Sequence, residues 1–137
     1  FREFQNVDAS VGLAAGAGVA DRKIRLEQLE AIPVITPRIA EFKNTCLFAY
    51  QAFDNAGKLL LETRQKTAAA EAEVKKAELK KNTGEIISAL EEARIVELGN
   101  SAVSSLKSAS EQLDNADHLV KQCEELRIRL RRTLSTQ

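Results

Sequence analysis

The chain has no tryptophan, no methionine, one tyrosine, one histidine, two prolines and two cysteines among its 137 residues. Aromatic residues make up only 4%, so a core has to be built mainly from aliphatic side chains and alanine. One histidine and two cysteines leave little material for metal ligation or nucleophilic catalysis. No run of about 20 apolar residues occurs, so no segment is long enough to span a bilayer as a helix. A surplus of charge is missing as well, because 20 Lys and Arg are balanced by 20 Asp and Glu. General nucleic-acid and anionic-membrane binders need a cationic surplus to displace counterions, and that balance sets both classes aside.

What remains is helix-forming. Ala, Leu, Glu, Lys and Arg dominate a composition that is 44% hydrophobic and 29% charged. The length suits one domain, 1–137, with one continuous core. Asp8 or Ser10 is placed to cap a first helix over about 9–31, whose second half, DRKIRLEQLEA, carries Ile24, Leu26 and Leu29. Its first half, VGLAAGAGVA, contains Gly12, Gly16 and Gly18. Each glycine costs about 1 kcal/mol against alanine in a helix interior, so this piece either packs tightly or frays. Pro33 and Pro37 then end the element and make IPVITP an extended connector.

From residue 38 the pattern becomes a heptad seam. Ile39, Cys46, Phe53, Leu60, Thr67 and Val74 recur every seven residues, each followed three residues later by Phe42, Ala49, Ala56, Thr63, Ala70 or Ala77. The seam predicts a helix over 38–81. NTGE breaks it, with Asn82 placed to cap the next helix and Gly84 to relax the turn. A second seam over 85–134 carries Ile95, Ala102, Ala109, Ala116, Cys123 and Leu130, with Leu106, Leu113 and Val120 interleaved. Two turn-like stretches, DNAG at 54–57 and LGNS at 98–101, would give a compact five-helix bundle if both broke their helices.

The midpoint of Cys46 and Cys123 falls between Gly84 and Glu85, beside the turn inferred independently. An antiparallel hairpin therefore sets the two cysteines level, along with Ile39 beside Leu130, Phe53 beside Ala116, Leu60 beside Ala109 and Val74 beside Ile95. A Cys46–Cys123 disulfide is predicted; it closes a long loop, contributes on the order of 4 kcal/mol by the chain-entropy model and implies an oxidising compartment. The alternative is a pair of reduced cysteines acting as small buried apolar residues. The expected fold is all-α: an elongated antiparallel helical hairpin with a shorter third helix, a coiled-coil-like three-helix bundle on the order of 65 to 75 Å long.

Candidate chemistry is sparse. Asp114, Asp117 and His118 share a helix face, but without a second ligand cluster they read as solvated side chains and no metal is expected. GLAAGAG lacks the flanking strand and Lys-Ser or Lys-Thr pair of a phosphate loop. With no nucleophile–base pair in reach, neither an enzyme nor a cofactor is expected. Arg127, Arg129, Arg131 and Arg132 form the one local cationic patch. They serve either to satisfy the last helical turn and cover Ile128 and Leu130, or to contact lipid head groups or an acidic partner. SVGLAAGAGVA, with Val11, Gly12, Leu13, Gly16, Gly18 and Val19, resembles the membrane-active segments of viral fusion proteins and helical pore-forming toxins. Its alternative role is to pack a small-residue face on the hairpin.

The long seams 38–81 and 85–134 and the bracing pair Cys46 and Cys123 give the chain an architecture similar to the elongated helical-bundle surface proteins of African trypanosomes, the coat and receptor family. That resemblance carries no diagnostic motif and no Asn-x-Ser/Thr sequon accompanies it. It implies a membrane-distal coat or ligand-binding role. The expectation is a non-enzymatic extracellular or cell-surface bundle that binds a protein partner or itself. Membrane proximity would come through residues 11–20 or an anchor removed from the chain. The alternatives are a membrane-active protein and a self-assembling coiled-coil scaffold, the latter cytoplasmic.

Overall fold

The computed structural model describes residues 1–135, and among them every regular element is α-helical: α1 (Arg2–Gly16), α2 (Val19–Glu30), α3 (Pro37–Asn82) and α4 (Ala89–Ser135). Four helices replace the expected three. The single helix expected over 9–31 starts earlier, at Arg2, and is divided at Ala17 and Gly18, whose backbones are extended with ψ of 155° and 170°. Three glycines within seven residues weaken the helix most at this point, and a tertiary contact described below holds the break open. Asp8 and Ser10 lie inside α1, so neither caps it.

Pro37 opens α3 at the position where its missing N–H costs nothing. The helix continues through Gly57 without a break, as α4 does through Gly99. The turn between them is a Schellman motif: Gly84, at φ 81°, takes the left-handed conformation, its N–H donates to Lys81 O at 3.1 Å and the Glu85 N–H donates to Lys80 O at 2.8 Å. Asn82 therefore ends α3; it does not cap α4. That cap is Ser88, whose Oγ accepts from the Glu91 N–H at 3.1 Å, so α4 begins four residues later than expected.

The chain forms two compact units. One comprises Phe1–Asn55 and the chain from Leu113 onward; the other is Ala56–Gln112. In the first unit α1 presents Phe4, Val7, Val11 and Ala14, a heptad stripe, to a core completed by Leu26 and Leu29 of α2, six residues of α3 from Ile39 to Tyr50, and Cys123 and Leu130 of α4. The Phe4 and Phe42 rings lie 5.6 Å apart in a tilted pair. At the centre Cys46 and Cys123 are joined, with Cα atoms 4.9 Å apart and no exposed surface. The level match read from the heptads is therefore realised, and α3 runs antiparallel to α4 here. Phe53 departs from the expected seam: it is partly exposed and lies beneath a guanidinium.

The second unit is much thinner. Its fully buried side chains are Ala56, Thr63 and Ala109. The α3 and α4 segments again run antiparallel: Thr63 Oγ1 donates to Ser105 O at 3.3 Å or to Leu59 O at 2.9 Å, and Lys66 Nζ donates to Ser105 Oγ at 3.0 Å. Small residues at the seam let the two backbones approach closely, but they bury little apolar surface.

Candidate functional site

The two regions singled out from sequence meet in the first unit. Asp8, one turn before the glycine-rich segment, accepts from Arg127 Nε and receives two further bonds from Arg131 Nη2 at 2.9 and 3.1 Å. Arg127 also reaches Glu124 at 3.5 Å. Burial disfavours the charged form of Arg127, but the bond and charge of Asp8, helped by Glu124, outweigh it and hold the guanidinium above its ordinary pKa. A Cβ on Gly12 would stand 3.1 Å from Arg127 Nη2, so the glycine admits the guanidinium against α1. Tyr50 borders the cluster, its hydroxyl 3.5 Å from Glu124 Oε1. Burial first, then the Glu124 charge, pushes that hydroxyl's pKa up.

The expected four-arginine patch is therefore split. Arg127 and Arg131 are spent on Asp8, a partner 119 and 123 residues away in sequence. Arg129 and Arg132 line an open depression with Glu125, Ile128 and Thr133.

The proposed membrane-active segment is split in the same way. Val11 and Ala14 are wholly buried and Gly12 is half-buried, while Leu13, Gly16, Gly18 and Val19 face solvent. Insertion of residues 11–20 into a bilayer would require α1 to leave the core and to break the Asp8–Arg127 and Asp8–Arg131 pairs. Among the described residues no helix is long and apolar enough to cross a membrane.

Arg22 is the most heavily engaged side chain that the sequence reading missed. Its Nε donates to Ala14 O at 3.0 Å, its Nη2 to Ala17 O at 2.7 Å and its Nη1 to Asp54 Oδ1 at 2.5 Å. Its guanidinium carbon sits 5.9 Å from the Tyr50 ring centroid and 5.2 Å from that of Phe53. It thus satisfies the carboxyl end of α1 from the next helix, which fixes the break at Ala17–Gly18. Lys43 does the same for α2, donating to Glu30 O at 2.7 Å and Ile32 O at 2.8 Å. At the other end of α1, the Glu3 carboxylate accepts from the Ile35 N–H at 2.7 Å and the Thr36 N–H at 3.3 Å, and these bonds hold its pKa below the ordinary value. All three clamps are structural.

In the second unit, near the turn, Glu73, Lys76, Ala77, Lys80, Glu91, Arg94 and Ile95 line a cleft bridged by Lys80 and Glu91 at 3.0 Å. The Glu91 bond and charge raise the pKa of Lys80. These are mixed charges on an open surface, without a nucleophile. His118 faces solvent, 3.3 Å from Gln122 Nε2, and no group of His, Cys, Asp and Glu among the described residues is arranged to hold a metal ion.

The exposed apolar side chains of this unit are its most distinctive surface. Ile86 is 95% and Leu90 81% exposed, with Leu79 nearby along α3. Leu61, Val96, Val103 and Leu106 also face outward. Compared with protein-family models, characterised proteins and solved structures, the chain finds no match in any of the three.

Proposed function

We propose that the protein is a non-enzymatic binding module of the extracellular space or cell surface, built on the antiparallel helices α3 and α4 and stapled by a disulfide where α1 and α2 pack. The observation that carries this reading is the contrast between the units. Both units expose apolar side chains, but the first buries a cluster of fourteen core residues around Cys46–Cys123, whereas the second buries only Ala56, Thr63 and Ala109 beneath the exposed Ile86, Leu90, Val96, Val103 and Leu106. The disulfide favours an oxidising compartment. The uncovered aliphatics favour a protein partner, because contiguous apolar side chains on a helical surface are suited to burial against another apolar surface. A coat or receptor role, which the likeness to trypanosome surface proteins implies, falls within this proposal.

The test is the intact mass of never-reduced protein after thiol alkylation in denaturant, joined to localisation in the source cells. A monomeric mass with no alkylation, on protein recovered from the exterior, is expected. Two free thiols, or a cytosolic location, would overturn the reading in favour of an intracellular scaffold.

A further inference from the structure

The exposed apolar residues on the second unit's α4 segment are spaced for a helix. Val96, Gly99, Val103 and Leu106 follow one another by three, four and three residues, so they form one stripe along the helix. In heptad position Val96, Gly99 and Val103 correspond to Glu124, Arg127 and Arg131. Of these, Arg127 and Arg131 carry the Asp8 contacts of α1 in the first unit. Leu61 of α3 corresponds to Asp54, which binds Arg22 of α2. Positions that receive helices in one unit are thus apolar and uncovered in the other, with Leu61, Val96, Val103 and Leu106 between 56% and 69% exposed.

The charges indicate which helix covers them. The α3 segment Ala56–Asn82 carries seven basic and four acidic side chains, whereas the α4 segment from Ala89 to Gln112 carries four acidic and two basic. The unit is therefore complementary to itself when α4 of one molecule meets α3 of another. Its own core is too small to be indifferent to such a partner, since the fully buried side chains are Ala56, Thr63 and Ala109. A two-helix face along the stretch from Val96 to Gln112 is about 26 Å long and about 20 Å wide, on the order of 500 Å² per partner, which is at the small end of specific interfaces.

We infer that the partner is a second copy of this chain, and that the two Ala56–Gln112 units associate through a two-fold interface into a four-helix arrangement. This rests on the partner-binding reading above and names its partner. The pairing sets Leu61 of one copy near the level of Leu106 of the other, and Lys75 near the level of Glu92.

The experiment is sedimentation equilibrium on the full, oxidised chain from about 1 to 200 μM, with thiol alkylation of the same samples. Wild type is expected to dimerise. Val103→Asp with Leu106→Asp, on exposed positions that leave the helices intact by circular dichroism, is expected to raise the dimer dissociation constant at least about a hundredfold. Lys75→Glu is expected to weaken the dimer, and Lys75→Glu with Glu92→Lys to restore it. Wild type remaining monomeric throughout, or a dimer indifferent to the double aspartate variant, overturns the proposal. A monomer with its disulfide intact defeats only the second-copy partner, whereas free thiols defeat the extracellular reading beneath it.

Discussion

Replacing Arg22 with alanine tests whether a single cation ends α1. Its side chain is only 9% exposed and that of its partner Asp54 18%. Hydrogen bonds from a charged donor contribute about 1.5 kcal/mol each, and two of them go to the Ala14 and Ala17 carbonyls. The Asp54 pair adds about 1 kcal/mol net of desolvation, and the contacts with Tyr50 and Phe53 about 0.5 kcal/mol each. Ordering a long arginine side chain costs about 2 kcal/mol in rotamer entropy. Arg22→Ala is therefore expected to lower the free energy of unfolding by about 3 kcal/mol, read from urea denaturation followed by circular dichroism with the disulfide intact. Arg22→Lys keeps the charge but cannot bridge three acceptors in different directions, so it should recover only about 1 kcal/mol of the loss. The effect should also be local: the Ala17 N–H, which donates to Ala14 O at 3.3 Å, should exchange faster in Arg22→Ala than in wild type. A loss below about 1 kcal/mol, or a lysine variant equal to wild type, would refute the reasoning.

Three other outcomes follow from the same geometry. Cys46→Ala with Cys123→Ala removes a cross-link between residues 77 apart and should lower stability by about 4 kcal/mol, measured as a shift in the urea midpoint; an unchanged midpoint would show that the loop entropy is not what the bond supplies. Gly57 lies inside α3, and a Cβ added there would meet nothing within 4 Å, so Gly57→Ala should raise the thermal midpoint through a gain of about 1 kcal/mol, and a loss would contradict the unbroken helix. Glu3 has a depressed folded-state pKa, so its contribution is present above the unfolded value and lost as pH falls through the folded one. Protection of the Ile35 amide against exchange should accordingly drop as the pH is lowered from neutral through the carboxylate range, and a Glu3→Gln variant should lose that pH dependence; equal pH profiles for the two proteins would exclude the carboxylate clamp.

The α3 and α4 pairing was legible because its cause is periodic. A seven-residue repeat constrains every level of an antiparallel pair at once, and two cysteines at matching distances from one turn fixed the register. The turn itself was less legible. Both Asn82 and Ser88 stand three residues before a glutamate, so both satisfy the capping-box pattern. What decides between them is Gly84, whose left-handed backbone completes the Schellman motif of α3 and leaves the chain extended until Ser88. Phe53 illustrates a second limit. Its heptad position assigns it to the seam, but the aromatic face beneath Arg22 competes for it, and periodicity carries no information about such a contact.

The amino-terminal helices failed to be legible for one shared physical reason. A helix that supplies its own carboxyl-terminal cation announces its end in sequence, and neither α1 nor α2 has a basic residue in its last turn. Each borrows one from the element that follows: α1 from Arg22 of α2, α2 from Lys43 of α3. Read linearly, Arg22 looks like the interior of one long helix, which is why 9–31 reads as continuous. The same borrowing consumes the candidate sites. Asp8 has the sequence context of a cap and Arg127 and Arg131 that of a free cationic patch, yet they neutralise one another across 119 and 123 residues. Charge clusters near helix ends in this chain therefore specify which helices stack: the Asp8 pairs bring α1 onto α4, and Arg22 and Lys43 set where α1 and α2 end.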